Sequence, residues 1–279
     1  MIYEISLLIF VFVLLILGAA SVFDARKREV PDFISYILII GGLMLSLFYS
    51  IASYSIGNLV YMPLSIGLLF GFAYAMYYMG QWGGGDVKLM LGLAVVFTAI
   101  SPTSRTSFIS LFINILIFGG VYGLLGTLFI GAIHPKKMSK LLRKYDVALI
   151  SLGVAAILYA LFFLPFPFDV LISLIAFLLV SMRYIYLVAD NLMFFRVEVD
   201  KLVEGDWLAG DVVEDGTIIL KQRKIGLLKE DIEKLKKEGV KYVIVKVGLP
   251  FIPGVFIGAL ITIIFGNPLF TIIVSSIHP

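Results

Sequence analysis

The chain has no cysteine and only two histidines, His134 and His278, among its 279 residues. The first absence removes disulfides, thiol nucleophiles and thiolate zinc sites together. The second leaves too few imidazoles for a histidine-rich metal centre, and neither histidine lies near a promising serine. Charge is also scarce: Asp, Glu, Lys and Arg make up 15% of the residues, against roughly 25% in soluble domains. The net charge of +3 is too small to point to nucleic acid. What the chain does have is apolar surface, with 61% of residues in the set AVILMFWYC and a mean hydropathy of +1.05. No water-soluble fold of this length has interior enough to hide that fraction. The bilayer is therefore the solvent for most of it.

Apolar runs of membrane-spanning length are expected at Tyr3–Phe23, Phe33–Ile51, Asn58–Met79, Val87–Ile100, Thr106–Ile133, Val147–Phe163, Phe168–Val188 and Pro250–Phe265, with a further apolar tail at Pro268–Ile277. The fourth is short for a full span and begins directly after an aspartate. The first lacks a small-residue cleavage site and reads as an anchoring span rather than a signal peptide. The fold class is thus an all-α polytopic membrane protein of about six to eight spans. Three parts are expected: a membrane domain over 1–194, a cytoplasmic α+β insert over 195–247, and a final membrane segment and tail over 248–279. Within the insert, Arg196–Val203, Thr217–Gln222 and Val240–Val247 read as strands, and Leu228–Glu238 as an amphipathic helix stopped by Gly239. There is no internal repeat and no low-complexity tract.

The basic residues orient the chain. With the N-terminus outside, Arg26, Lys27, Arg28, Lys88, Lys136, Lys137, Lys140, Arg143 and Lys144 all fall in inside loops and only Arg105 in an outside one. This places the insert in the cytoplasm of a multi-pass protein of the cell membrane. Arg26, Lys27 and Arg28 read as orientation signals rather than lipid ligands.

An ionisable residue near a span is by default a functional candidate. Glu4, Asp146, Asp169 and Asp190 sit at helix ends, where water or headgroups solvate them. Asp24 and Asp86 differ, because Asp24 closes the first span, Asp86 opens the fourth, and the topology puts both at the cytoplasmic face. Asp86 lies in Gln81-Trp-Gly-Gly-Gly-Asp-Val-Lys-Leu-Met90. Gly83, Gly84 and Gly85 give backbone freedom and close approach suited to cradling an extended peptide; the plain alternative is a loop with Asp86 as helix N-cap. A Gly-x-Gly-Asp string arises by chance in roughly one such chain in ten, so alone it is weak. Two carboxylates brought together cannot both ionise. The ionised one draws a proton from water, which attacks a carbonyl; the protonated one polarises that carbonyl and later protonates the leaving amine.

At these residues the chain resembles the type IV prepilin peptidase family, most closely the archaeal preflagellin peptidases, which are membrane aspartic proteases of the Gly-x-Gly-Asp type. Asp24-Ala-Arg-Lys-Arg-Glu-Val-Pro-Asp32 resembles the family's first aspartate with its following apolar-Pro-Asp element. Gly83, Gly85, Asp86 and Lys88 complete Gly-x-Gly-Asp-x-Lys. Leu249-Pro-Phe-Ile-Pro253 followed by Gly258 resembles the final span, and Val203-Glu-Gly-Asp-Trp-Leu-Ala209 the archaeal cytoplasmic insert. The resemblance implies a catalytic pair, Asp24 and Asp86, with no cofactor and no metal. It also implies a substrate with a short basic leader followed by a long apolar helix, either type IV pilin-like or archaellin, cut just before that helix while the helix lies among membrane lipids.

Two departures are visible. Without cysteine the chain lacks the Cys-x-x-Cys domain linked to N-methylation in bacterial members, which implies cleavage without methyltransferase activity. The apolar pair at 147–188 exceeds the six-span arrangement of preflagellin peptidases. Presenilin-like and signal-peptide-peptidase-like proteases share Gly-x-Gly-Asp but place their first aspartate inside a span beside Tyr and end in Pro-Ala-Leu, which Phe23-Asp24 and Pro250-Phe-Ile-Pro253 fit less well. Among other classes, an ion-coupled transporter would require midplane carboxylates from inverted repeats, and a scaffold would work through the insert alone. Around the pair, Lys88 either stabilises Asp86 or holds substrate backbone, or only marks the boundary. Asp32 reads as N-cap of the second span. Pro250 and Pro253 break the start of the last span, opening a path beside the pair or simply beginning a helix.

Overall fold

A computed structural model of the chain describes residues 2–54, 56–80, 82–98, 106–165, 168–214, 216–223 and 226–268. The tail at Pro268–Ile277 therefore lies outside it beyond Pro268, as do His278, Arg105 and the end of the run at Val87–Ile100. The described elements are α1 (Ile2–Lys27), α2 (Asp32–Ala52), α3 (Met62–Tyr78), α4 (Gly84–Thr98), α5 (Phe108–Ile133), α6 (Pro135–Leu141), α7 (Lys144–Phe163), α8 (Phe168–Asn191), β1 (Phe194–Glu198), β2 (Trp207–Leu208), β3 (Val212–Glu214), β4 (Thr217–Leu220), α9 (Lys229–Lys237), β5 (Tyr242–Lys246) and α10 (Ile252–Phe265). Among the described residues, six helical stretches are long and apolar enough to cross a membrane, those of α1, α2, α5, α7 and α8 and that of α3 together with the 3-10 turn before it, from Leu59. The other two expected spans are shorter helices: α4 has 15 residues and α10 has 14. At 1.5 Å per residue each covers only about 21–22 Å of a roughly 30 Å hydrocarbon core.

The chain forms two compact units. One comprises Met1–Tyr122, Glu198–Val243 and Pro250–Pro279, and the other Gly123–Val197 and Ile244–Leu249. In the first, α4 is the central element, with every residue from Leu89 to Thr98 except Leu91 buried. A helix apolar on all sides belongs inside protein. Small residues let its neighbours come close. A Cβ on Gly92 would stand 2.8 Å from Leu38 of α2, and one on Gly42 would overlap the Val96 side chain. The last turn of a helix leaves carbonyls without partners. Here Ser46 of α2 donates to the Val95 and Val96 carbonyls (3.0 Å each), and Ser65 of α3 donates to Ala94 (2.8 Å).

Helix α1 buries one stripe, Ile5, Ile9, Val13, Leu17, Ala20 and Asp24, at steps of three and four residues. It continues past Phe23 through one more turn, and Arg28 ends it at φ 59°, its N–H bonded to the Asp24 carbonyl (2.9 Å). Arg26 and Lys27 in that turn suit a helix C-terminus. In the insert the expected helix and the strands at Thr217–Gln222 and Val240–Val247 form with slightly shorter bounds. The first expected strand runs instead over Phe194–Glu198 and is followed by a 3-10 turn over Val199–Lys201, and two short strands outside the expected pattern, β2 and β3, are added. Strands β1, β5 and β2 form a sheet in that order, while β3 and β4 pair antiparallel with Val213 opposite Ile218. Asp231 accepts the Leu228 N–H at the start of α9 (2.9 Å), and Gly239 at φ 76° ends it.

In the second unit α7 and α8 pack on each other, the Gly153 position lying against the Val180 side chain. Asp146, fully buried, accepts from Arg183 Nε (2.6 Å) and from the Arg143 N–H (2.9 Å). Asp190 pairs with Lys246 at 3.4 Å. Both acids are thus satisfied by protein partners rather than by water alone.

Candidate active site

Asp24 and Asp86 stand 62 positions apart in the chain, yet both lie in the first unit and the charge of Asp24 reaches Asp86. Each is held at the beginning of a helix, by different routes. Asp24 is 6% exposed and sits in the last turn of α1, where the macrodipole disfavours an anion. Its Oδ2 crosses to α10 and accepts the N–H of Ile252 (2.9 Å), with the Phe251 N–H beside it. The first turn of a helix has free N–H groups and a partial positive charge, so α10 supplies what α1 cannot. The charge of Arg28 and the phenol of Tyr122 on α5 are the other polar groups that Asp24 feels.

Asp86 is half-buried in the first turn of its own helix, α4, and its Oδ2 accepts the N–H of Gly83 (3.0 Å). This is a local capping bond, three residues back. The glycines around it do not form an extended stretch. Gly84 and Gly85 already belong to α4, and only Gly83 precedes it. The three glycines are also unequal. A Cβ at Gly85 would stand 3.1 Å from the Val30 carbonyl, so Gly85 is where α4 meets the loop following Asp24, whereas a Cβ at Gly84 would meet only open space. Gly83 and Gly84 are exposed.

The remaining expected residues gather around the same point. Lys88 does not turn to Asp86; its Nζ pairs with Asp32 Oδ1 at 2.6 Å and lies 5.8 Å from the Tyr36 ring centroid. Asp32 is accordingly the first residue of α2 and makes no cap bond, Pro31 holding the N-cap position. Pro253 is in the first turn of α10, where its missing N–H costs nothing. Pro250 precedes it in the connecting segment.

Of the residues that pack this site, the contacts of Trp82, Gly254 and Asn114 carry no warning in the sequence. Trp82 stacks on Phe251, centroids 4.3 Å apart, and meets Phe72 edge-on at 5.6 Å. Helix α10 is held against α5 by Gly254, whose Cβ would stand 3.0 Å from Gly119 Cα, and by Gly258, whose Cβ would stand 2.7 Å from Ile115 Cα. Asn114 Nδ2 secures the far end, donating to Thr262 Oγ1 (2.9 Å) and to the Gly266 carbonyl (2.6 Å). Three sequence motifs therefore converge through four contacts: Asp24 with Ile252, Trp82 with Phe251, Gly85 with Val30, and Lys88 with Asp32.

No curated protein and no solved structure matches the chain. A family model does, over residues 9–124, that of the type IV leader peptidase family. The match includes Asp24, Val30-Pro31-Asp32 and the whole Gly83–Lys88 motif, and it stops before α10. Over residues 9–124 the chain is therefore similar to the type IV leader peptidase family.

Proposed function

We propose that this protein is a membrane aspartic endopeptidase that removes the short basic leader of prepilin-like or preflagellin (archaellin) precursors at the cytoplasmic face, with Asp24 and Asp86 as its catalytic pair. The family match over residues 9–124 supports a leader-peptidase-like protease acting on prepilin-like precursors. The observation that carries the finer reading is that both carboxylates are bonded by N–H groups at the start of a helix, with the charge of Asp24 reaching Asp86.

Chemically, one carboxylate takes a proton from water while the water oxygen bonds to the scissile carbonyl carbon. The other, protonated, gives its proton to the carbonyl oxygen. In the second step the C–N bond breaks as the first aspartate passes its proton to the leaving amine, and the second recovers its own from the diol. Asp24, which faces Arg28 and two N–H groups at the start of α10, is the better-supported anion and takes the base role. Asp86 takes the acid role. The exposed Gly83 and the open space beside Gly84 leave room for an extended substrate next to Asp86. Lys88, through Asp32, and Pro250 and Pro253, through the start of α10, shape the surroundings. An apolar substrate helix in the bilayer and a basic leader in water would meet at this level. With no cysteine for the domain linked to methylation, the product leaves unmethylated.

The test is cleavage of a panel of precursors in membranes, with the leader's length and last residue varied. Asp24→Asn and Asp86→Asn should each lower cleavage by about 10³-fold or more while the protein stays folded. Mass spectrometry should find an unmethylated new N-terminus. Full activity in either variant would sink the assignment of the pair.

A further inference from the structure

The densest charge of one sign in the chain lies away from the aspartates, in the second unit. Lys136, Lys137, Lys140, Arg143 and Lys144 fall within nine consecutive residues that contain no acid, and all five are exposed. The segment links α5 to α7, both of which contain stretches long and apolar enough to cross a membrane. A linker this short between two spans lies at a bilayer surface. It is also fixed in place. Met138 is buried against Val188, Leu192 and Met193 near the end of α8, which fastens α6 and leaves its lysines outward.

Like charges held together repel, and this unit has little to offset them. Its acids are Asp146, Asp169 and Asp190. Asp146 is buried and bonded to Arg183, and Asp190 is paired with Lys246. Asp169 opens α8, at the opposite end of that helix from the residues that hold Met138. The cluster is flanked by exposed Tyr145 and Tyr186, with Arg183 5.3 Å from each ring centroid and Arg143 5.8 Å from that of Tyr145. Tyrosines of this kind favour the headgroup level. We propose that the segment from Lys136 to Lys144, with Tyr145, is a binding surface for the phosphate headgroups of anionic phospholipid. This goes beyond the peptidase reading and does not depend on it.

The experiment is native mass spectrometry of the full chain released from nanodiscs of phosphatidylcholine with or without phosphatidylglycerol. Wild type should retain phosphatidylglycerol in preference to phosphatidylcholine, and retention should fall as salt rises. At about fivefold per charge, K137Q should weaken retention about fivefold, and K136Q/K137Q/K140Q by tens of fold or more. The charge-conserving K136R/K137R/K140R should bind as wild type, as should K229Q/K234Q/K237Q, which removes three charges from α9. Retention within twofold of wild type in the linker glutamine triple, or an equal loss in the α9 triple, overturns the proposal. Loss in the arginine triple would trace the effect to folding and overturn it too.

Discussion

Asp24 and Asp86 illustrate how one residue type is held in two ways. Asp86 is bonded by its own helix, a local arrangement that Gly-x-Gly-Asp already suggests. Asp24 is bonded by a helix 228 positions away, and nothing local foretells that partner. Its burial, however, was readable. Counting back from Asp24 by four, three, four, four and four residues reaches Ala20, Leu17, Val13, Ile9 and Ile5, the buried stripe of α1. A carboxylate ending an apolar stripe signals a buried partner. Lys88 is a case that spacing left open, since its position two residues after Asp86 says nothing of Asp32, 56 positions earlier. The pair is exposed, 41% and 56% by side chain, and such pairs contribute at most about 1 kcal/mol. K88M and D32N should therefore each reduce precursor cleavage by no more than about fivefold, with the double variant no worse than either single. Steady-state cleavage assays of the three decide it. Abolished cleavage in K88M with a silent D32N would mean that Lys88 acts on substrate or on Asp86 instead.

Among the elements, α10 has the most consequence for its length. At 14 residues it is shorter than a full span, but its first N–H groups hold Asp24, and its position depends on how closely it lies against α5. At Gly258 the neighbour is the Ile115 backbone, 2.7 Å from where a Cβ would be, and backbone cannot swing aside as a side chain can. Gly258→Val should displace α10, part Ile252 from Asp24 and lower kcat by about 10²-fold, the scale of a 1 Å misplacement in an active site. The precursor's KM and the helix content by circular dichroism should stay close to wild type, which separates positioning from unfolding. Unchanged kcat would remove α10 from the mechanism. The sequence signals for this element were the paired prolines and Gly258. They marked a helix beginning and a close approach, but which helix is approached depends on tertiary packing. The same holds for α4. Its apolar residues announced a membrane run, whereas its burial on all sides and the serines of α2 and α3 that satisfy its carbonyls are visible only once those helices surround it.

At the scale of the whole molecule, the short α4 decides on which side of the membrane half of the chain lies. The positive-inside rule places Arg26–Arg28 and the Lys136–Lys144 cluster on one side. An even number of crossings must then separate them. Helices α2, α3 and α5 supply three, so on that rule a fourth crossing is expected between Gly84 and the start of α5. This is so even though α4 covers only about 22 Å. A helix enclosed by protein need not match the hydrocarbon thickness, because its ends face neighbouring helices rather than lipid. If α4 did not cross, the cluster would be exposed on the side of Tyr54, and with it the insert. The absence of native cysteine makes this directly measurable, since any introduced thiol is the only one. In sealed vesicles, a membrane-impermeant maleimide should label R26C, K137C and E214C from the same side and Y54C from the other. Labelling of K137C together with Y54C would show that α4 turns back within the membrane and would place the insert opposite Arg26.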